Sequence, residues 1–306
     1  MTTDKQDHAV GALVGLAVGD AIGTTLEFTR RGAQLPLTDM VGGGPFLLTA
    51  GQWTDDTAMA LCLADSLLAK NAVDAADLSD RFVRWWRNGE NSCTGTCFDI
   101  GSATVAALGR YERTGDPRSG NEDPGTAGNG SLMRLSPVAI RWHHDAAAAR
   151  PAARAQSEPT HRAPAALDAC GWFAERLVAA IGGIPKAAVL ACHGRQDLVD
   201  EIAAIAAGSW GEKERQEISS SGYVVHSLEA AMWAVARSDG FEEAVLLAAN
   251  LGNDADTVAA ITGQLAGALW GVSGIPESWL DRLAWRDRIE LLALDLYRAG
   301  LADADR

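Results

Sequence analysis

The chain lacks an excess of basic residues: 26 Lys and Arg stand against 40 Asp and Glu, a formal charge of −14. A polyanionic partner such as nucleic acid or an anionic membrane surface is therefore disfavoured. An anionic small ligand would need positive charge supplied locally, most simply by metal ions. Cysteine is sparse too. Five residues (Cys62, Cys93, Cys97, Cys170 and Cys192) are an odd number without zinc-type pairing, and the one CxxxC, Cys93 to Cys97, is a weak metal motif. Reduced thiols in a cytoplasmic protein are expected. Alternating β-branched runs are nearly absent, which removes most β architectures. A secretory leader is also missing from expectation. "MTTDKQDH" carries no positive stretch, and Asp20 and Glu27 interrupt the apolar run "AVGALVGLAVGDAIG" behind it. Neither a signal peptide nor a transmembrane segment is predicted.

What is present is alanine and leucine at helical spacing. The segments "DLSDRFVRWWRNG", "SATVAALGRYER", "ALDACGWFAERLVAAI", "SLEAAMWAVARS", "FEEAVLLAANLG" and "DTVAAITGQLAGALWG" all read as helices. The fold class is all-α. With 306 residues, nearly half hydrophobic, and no clean linker, residues 1–306 form a single domain, expected as a monomer. Trp85, Trp86, Trp233 and Trp270 lie within helical patterns and are expected in the core. Pro151 and Pro159 should break "HHDAAAARPAARAQSEPTHRAP" into short pieces. Gly11, Gly15 and Gly19 recur every four residues and share one helix face, which admits a second helix at close range.

Two short clusters carry the chemistry. In "GQWTDDTAMALCLADSLL", Thr54 reads as an N-cap and Asp55 and Asp56 open an apolar helix. First-turn acids alone are ordinary, since they favour the positive end of a helix. The pattern returns in "NLGNDADTVAA", where Asp254, Asp256 and Thr257 open another helix. These six residues offer hard oxygen ligands suited to Mg²⁺ or Mn²⁺ and poorly suited to zinc. If the two helix starts face each other, four carboxylates meet, and a pair of divalent cations about 3.5–4 Å apart is the economical reason. Other readings each fit one fragment. "DADTV" matches an aspartate-phosphatase signature, which needs a strand before it. "DDTAM" partly matches the DDxxD of prenyl-diphosphate enzymes, but Met59 stands where the third acid belongs. A two-carboxylate glycosidase leaves most of the acids unexplained.

Seven segments in order, "GALVGLAVGDAIGTTLEF", "GQWTDDTAMAL", "GTCFDIG", "GNGSLMRLSPVAI", "PTHRAPAALDAC", "SGYVVHSLEAAMWA" and "NLGNDADTVAAITGQLAGALWG", resemble the ADP-ribosylglycohydrolase family, in its dinitrogenase reductase-activating glycohydrolase branch. The resemblance covers nearly the whole chain. It implies a compact helical fold with two divalent cations beneath an ADP-ribose cleft. By position, Thr54, Asp55, Asp56, Asp254, Asp256 and Thr257 would be metal ligands. Asp99, in "CFDIG", and Glu27, in "TTLEF", would be catalytic carboxylates beside the distal ribose. Asn129, Gly130, Ser131, Met133 and Arg134 match the loop around the diphosphate. His161 matches an ADP-ribose contact, and Gly222 and Tyr223 match the loop flanking adenine. Asn253 stands where many relatives have glycine or aspartate.

The function implied is removal of ADP-ribose from a modified protein, with arginine as the favoured linkage and ADP-ribose as product. Serine-linked or small-molecule ADP-ribose derivatives are alternatives, as is an ADP-ribose-binding regulator without turnover. Taken residue by residue, plainer roles stay open. "GTAGNGSLMR" could be a turn, Asp99 a helix cap, Glu27 a solvated charge, His161 a loop histidine and Tyr223 core.

Overall fold

The computed structural model describes residues 4–304; residues 1–3 of "MTTDKQDH" and residues 305–306 of the expected domain lie outside the described residues. The early helices are α1 (Asp4–Gly23), α2 (Asp55–Lys70), α3 (Ala75–Asn88), α4 (Ser102–Thr114), α5 (Ser136–Arg141), α6 (Ala146–Ser157) and α7 (Pro164–Ile181). Then come α8 (Lys186–Val189), α9 (Asp200–Ala206), α10 (Val224–Ala236), α11 (Phe241–Ala249), α12 (Ala255–Trp270), α13 (Glu277–Leu280) and α14 (Arg286–Ala304). No strand occurs among the described residues, and the fold is all-α as expected. All six segments read as helices from their spacing are helical.

The centre of the molecule is the pair α1 and α12. Gly15 of α1 lies against Gly263 of α12 so closely that a Cβ on Gly15 would stand 2.3 Å from the Gly263 carbonyl oxygen. Gly11 meets Gly267 in the same way, and Gly19 meets Ala259. Numbers rise along one helix as they fall along the other, so the pair is antiparallel. The glycine face read from the sequence is therefore a helix–helix contact, and it brings the end of α1 beside the start of α12. The same geometry explains why α1 is so apolar. Asp4–Leu26 is long and apolar enough to cross a membrane, yet 94% of its most apolar window is buried within this protein.

Two expectations fail. Trp85 and Trp233 are buried, but Trp86 and Trp270 are only half-buried at helix surfaces. Both still pack against the core, but Arg87 stacks 3.5 Å over the Trp86 ring and Lys186 approaches Trp270 at 5.6 Å, so each indole covers a cation with its outer side. Pro151 does not break its segment either, for α6 runs through it from Ala146 to Ser157. The carbonyl that loses its partner belongs to Ala147, which is exposed together with Pro151, so water can satisfy it. Ala149 and Ala153 on the opposite side stay buried, and packing holds the helix.

Candidate active site

Three chain segments converge where α1 ends. Asp20, in the last turn of α1, is fully buried. Its carboxylate accepts the Thr54 amide at 2.9 Å and the Thr54 hydroxyl at 2.9 Å. It also accepts the Thr57 amide at 3.0 Å and the Thr57 hydroxyl at 2.6 Å. Thr54 is the N-cap of α2 by backbone conformation, but its hydroxyl caps nothing; it is given to Asp20 and keeps lone pairs free. One carboxylate thus fixes the start of α2, and with it Asp55 and Asp56, against α1. From α12, the Thr257 hydroxyl reaches Asp56 Oδ1 at 3.2 Å and joins the two Asp-Thr clusters directly.

Glu27 closes the same space from the loop after α1. It is 4% exposed, not solvated, and its Oε2 accepts the Ala255 amide at 2.8 Å, capping the first turn of α12. Asp254 is held by Asn129, whose Nδ2 donates to it at 2.6 Å and to Ser227 Oγ at 2.8 Å. Oxygen atoms of Asp20, Asp56 and Asp256 lie within 4.8 Å of one another, and so do those of Glu27, Asp254 and Asp256. Asp256 belongs to both groups, so they meet at one shared carboxylate.

Burial and mutual repulsion then set the protonation. Burial, followed by the charge on Asp256, lifts Asp20 and Asp254 to about 7, Asp99 to about 11 and Glu27 to about 12. Asp55 is raised well above its ordinary value by burial and then by Asp256, and Asp56 by burial and then by Asp20. Asp56 Oδ2 is buried with no hydrogen-bond partner. A buried carboxylate oxygen aimed into a nest of other carboxylates, with no protein donor, is costly unless a cation takes it. The donor set is all oxygen, which suits a hard divalent ion. The residues fit such an ion.

Above the carboxylates lies a cavity of about 700 Å³. Its walls include Glu27, Asp55, Asp99, Asn129, Gly130, Met133, His161, Gly222 and Asp254, with the first turn of α4 on one side. Asp99 caps no helix, because α4 begins at Ser102 behind Gly101. It adopts a φ of 57° and its half-buried carboxyl faces Asp256. His161 is buried, bonded through Nδ1 to Thr160 Oγ1, and kept neutral by burial and by Arg134, which push it down to about 3. The cavity continues into a second hollow of about 500 Å³ between Ser102, Arg110, Gly128 and half-buried Tyr223.

A family model described as ADP-ribosylglycohydrolase matches residues 1–305. The chain belongs to the ADP-ribosylglycohydrolase family. It is 51% identical to ADP-ribosylarginine hydrolase Tri1 of Pseudomonas putida (strain GB-1) over 291 residues, 95% of this chain and 78% of that protein. It is 34% identical to the ADP-ribosyl-[dinitrogen reductase] glycohydrolase of Rhodospirillum rubrum over 282 residues, 90% of each. Among solved structures, a chain of an ADP-ribosylglycohydrolase-related protein complex matches with a TM-score of 0.87 and 43% identity, covering 97% of this chain and 99% of that one. The ADP-ribosylglycohydrolase family is metal-dependent, in keeping with the acidic clusters here.

Not every residue carried over by position faces this cavity. Arg134 is fully buried behind the 129–133 loop, where its guanidinium donates to Gln156 at 2.9 Å and to the Gly130 carbonyl at 3.1 Å. Ser131 points away as well, accepting the Ser157 hydroxyl at 2.7 Å. Both stiffen the loop from its far side. Asp20, by contrast, entered the sequence reading only as an interruption of an apolar run. A charge beside Gly19 in the last turn of a glycine-faced apolar helix is the signal available. Asn253 also lines the cavity, with a φ of 60°, a conformation that asparagine and glycine tolerate better than most residues. Its carbonyl accepts the Phe28 amide at 2.7 Å and its amide donates to the Thr29 carbonyl at 2.7 Å, which locks the Glu27 loop in place.

Proposed function

We propose that this protein hydrolyses the N-glycosidic bond joining ADP-ribose to an arginine side chain of a modified protein, releasing ADP-ribose. The convergence of the Asp-Thr clusters on one end of the cavity, around the unpartnered Asp56 oxygen, carries the reading. The 51% identity to ADP-ribosylarginine hydrolase Tri1 supports arginine as the linkage. Thr54, Asp55, Asp56, Asp254, Asp256 and Thr257 would hold two cations, Mg²⁺ or Mn²⁺, with Asp20 bracing Thr54 from behind. Bound there, the cations would supply Lewis acidity to the ribose hydroxyls and to a water.

The protein's own groups do the rest. Asn129, Gly130 and Met133 form one wall for the diphosphate, and neutral His161 presents a hydrogen bond without a charge. Gly222 and Tyr223 border the far hollow for the adenine. At the reactive end the water oxygen bonds to the ribose C1 as the C1–N bond breaks. A carboxylate, ionised once bound cations would offset its acidic neighbours, takes the water's proton and passes it to the departing guanidine, which leaves protonated. Asp99 suits proton transfer better than Glu27, since Glu27 spends one oxygen on the Ala255 backbone amide, whereas Asp99 meets the Asp256 side chain. Positive charge developing at C1 is favoured by the surrounding anionic field. A single chain holds every group named, so the site needs no second copy to be complete.

The deciding experiment is release of ADP-ribose from arginine-, serine- and acid-linked substrates, with Mg²⁺ or Mn²⁺ present. Release from the arginine linkage in preference to the others is the expected result. Tight ADP-ribose binding without release from any of them would make the protein a reader instead.

A further inference from the structure

Phe28 lines the cavity, and the reaction does not use its side chain. Phe28 follows Glu27 in the chain and Phe98 precedes Asp99, so each catalytic carboxylate is flanked by a phenyl ring. Phe46 stands between them, its ring centroid 6.3 Å from that of Phe28 and 5.3 Å from that of Phe98. Phe28 is 69% exposed, and Leu47, next to Phe46, is 86% exposed. A single exposed hydrophobe needs no explanation. Three phenyl rings in a row, one of them exposed and lining a cleft, with an exposed leucine next in the chain, do.

The backbone makes the point sharper. Phe28 and Leu47 have φ values of 58° and 54°, a region that bulky residues rarely enter. Their surroundings hold them there. Gly43 and Leu48 exchange amide-to-carbonyl hydrogen bonds of 2.8 and 3.0 Å across the tip that carries Phe46 and Leu47. Gly44 seats the tip on the chain just before Glu27, where a Cβ would stand 2.2 Å from the Thr24 carbonyl oxygen. The loop is thus anchored, and two residues of positive φ, Leu47 on its tip and Phe28 beside its seat, present apolar side chains to water. Strain retained beside a reaction centre points to use. No charged side chain lies in the tip "GPFL", so the surface suits neutral polypeptide, not an ionic partner.

We propose that Phe28, Phe46, Leu47 and Phe98 form an apolar rim that is the docking platform for the polypeptide around the modified arginine, an apolar neighbour of that arginine resting on it. The proposal rests on the ADP-ribosyl-arginine reading: a protein-borne substrate must pass its modified side chain over this rim to reach Asp99 and Glu27.

The test uses Leu47→Gly, which suits the positive φ and so is expected to keep or raise the melting temperature, and Phe46→Ser as a second variant. Each is assayed on free ADP-ribosyl-arginine and on an ADP-ribosylated peptide with leucine beside the modified arginine. Losing one buried apolar contact should raise KM for the peptide about tenfold while KM for the free amino acid and both kcat values hold. An equal rise in KM for both substrates would assign the rim to the ADP-ribose cavity and overturn the proposal. Unchanged KM for both would overturn it too. If the wild type hydrolyses neither substrate, the reaction assignment fails on its own. The rim is then judged by titration, where loss of peptide affinity alone supports it and any other pattern overturns it.

Discussion

Asp20 Oδ2 accepts the Thr57 hydroxyl across 2.6 Å, a buried bond that ties the end of α1 to the start of α2. The same carboxylate satisfies the Thr54 amide and hydroxyl and the Thr57 amide. Asp20→Ala would leave those buried donors without an acceptor, at about 1–3 kcal/mol for each one that finds no substitute. Measured by urea unfolding in saturating Mg²⁺, the variant should lose about 3 kcal/mol or more and bind Mg²⁺ more weakly. Wild-type stability and metal affinity would show that Asp20 has no bracing role.

Acid–base linkage gives a second expectation. The folded-state values of Asp20, Asp254, Asp99 and Glu27 all lie above those of the unfolded chain. Stability from such raised groups is present at low pH and is lost as pH rises through the folded values. Depressed His161 acts oppositely, but only below its ordinary value of 6.5. Between pH 6.5 and 8.5 the metal-free protein should therefore melt at progressively lower temperature. Excess Mg²⁺ or Mn²⁺ should reverse the trend, because a cation replaces the protons. About 2.7 kcal/mol is gained at 100-fold the dissociation constant. A metal-free melting temperature that rises across this window would refute the arrangement.

The glycine contact between α1 and α12 predicts opposite outcomes for one substitution at two places. Gly15→Ala would gain helix propensity but force a methyl to within 2.3 Å of a backbone oxygen, so it should cost about 1–3 kcal/mol net. Gly109→Ala in α4 meets nothing closer than 3.6 Å and should gain up to about 1 kcal/mol. Thermal melts of both variants read the difference directly.

Asp99→Asn separates holding from cleaving. Asn keeps the shape and tolerates the φ of 57°. ADP-ribose and metal titrations should stay close to wild type, while turnover falls about 10²–10⁴-fold. Undiminished turnover in the folded variant would shift proton transfer to Glu27.

How much of this was legible beforehand follows from what sequence distance hides. The helices were legible because their stripes are local, and the two Asp-Thr openings because they are short repeats of one chemistry. The closeness of α1 to α12 was half legible: the spacing of Gly11, Gly15 and Gly19 predicts a partner but not which one. Asp20 was hidden because its role exists only when Thr54 and Thr57, 34 and 37 residues on, fold back to it. Arg134 and Ser131 matched a ligand-binding strip by position, yet the direction of a loop side chain is set by what packs behind it, here Gln156 and Ser157. Trp86 read as core because an indole that covers an arginine has the same spacing as one that covers leucine.

The most direct measurement is turnover of an arginine-linked ADP-ribosyl protein by enzyme whose metal content is known from elemental analysis. Protein stripped by chelator should release no ADP-ribose above background, and Mg²⁺ or Mn²⁺ should restore release while zinc restores little. Full-rate release from protein shown to hold no divalent metal would contradict the assignment of the buried carboxylates as a cation site.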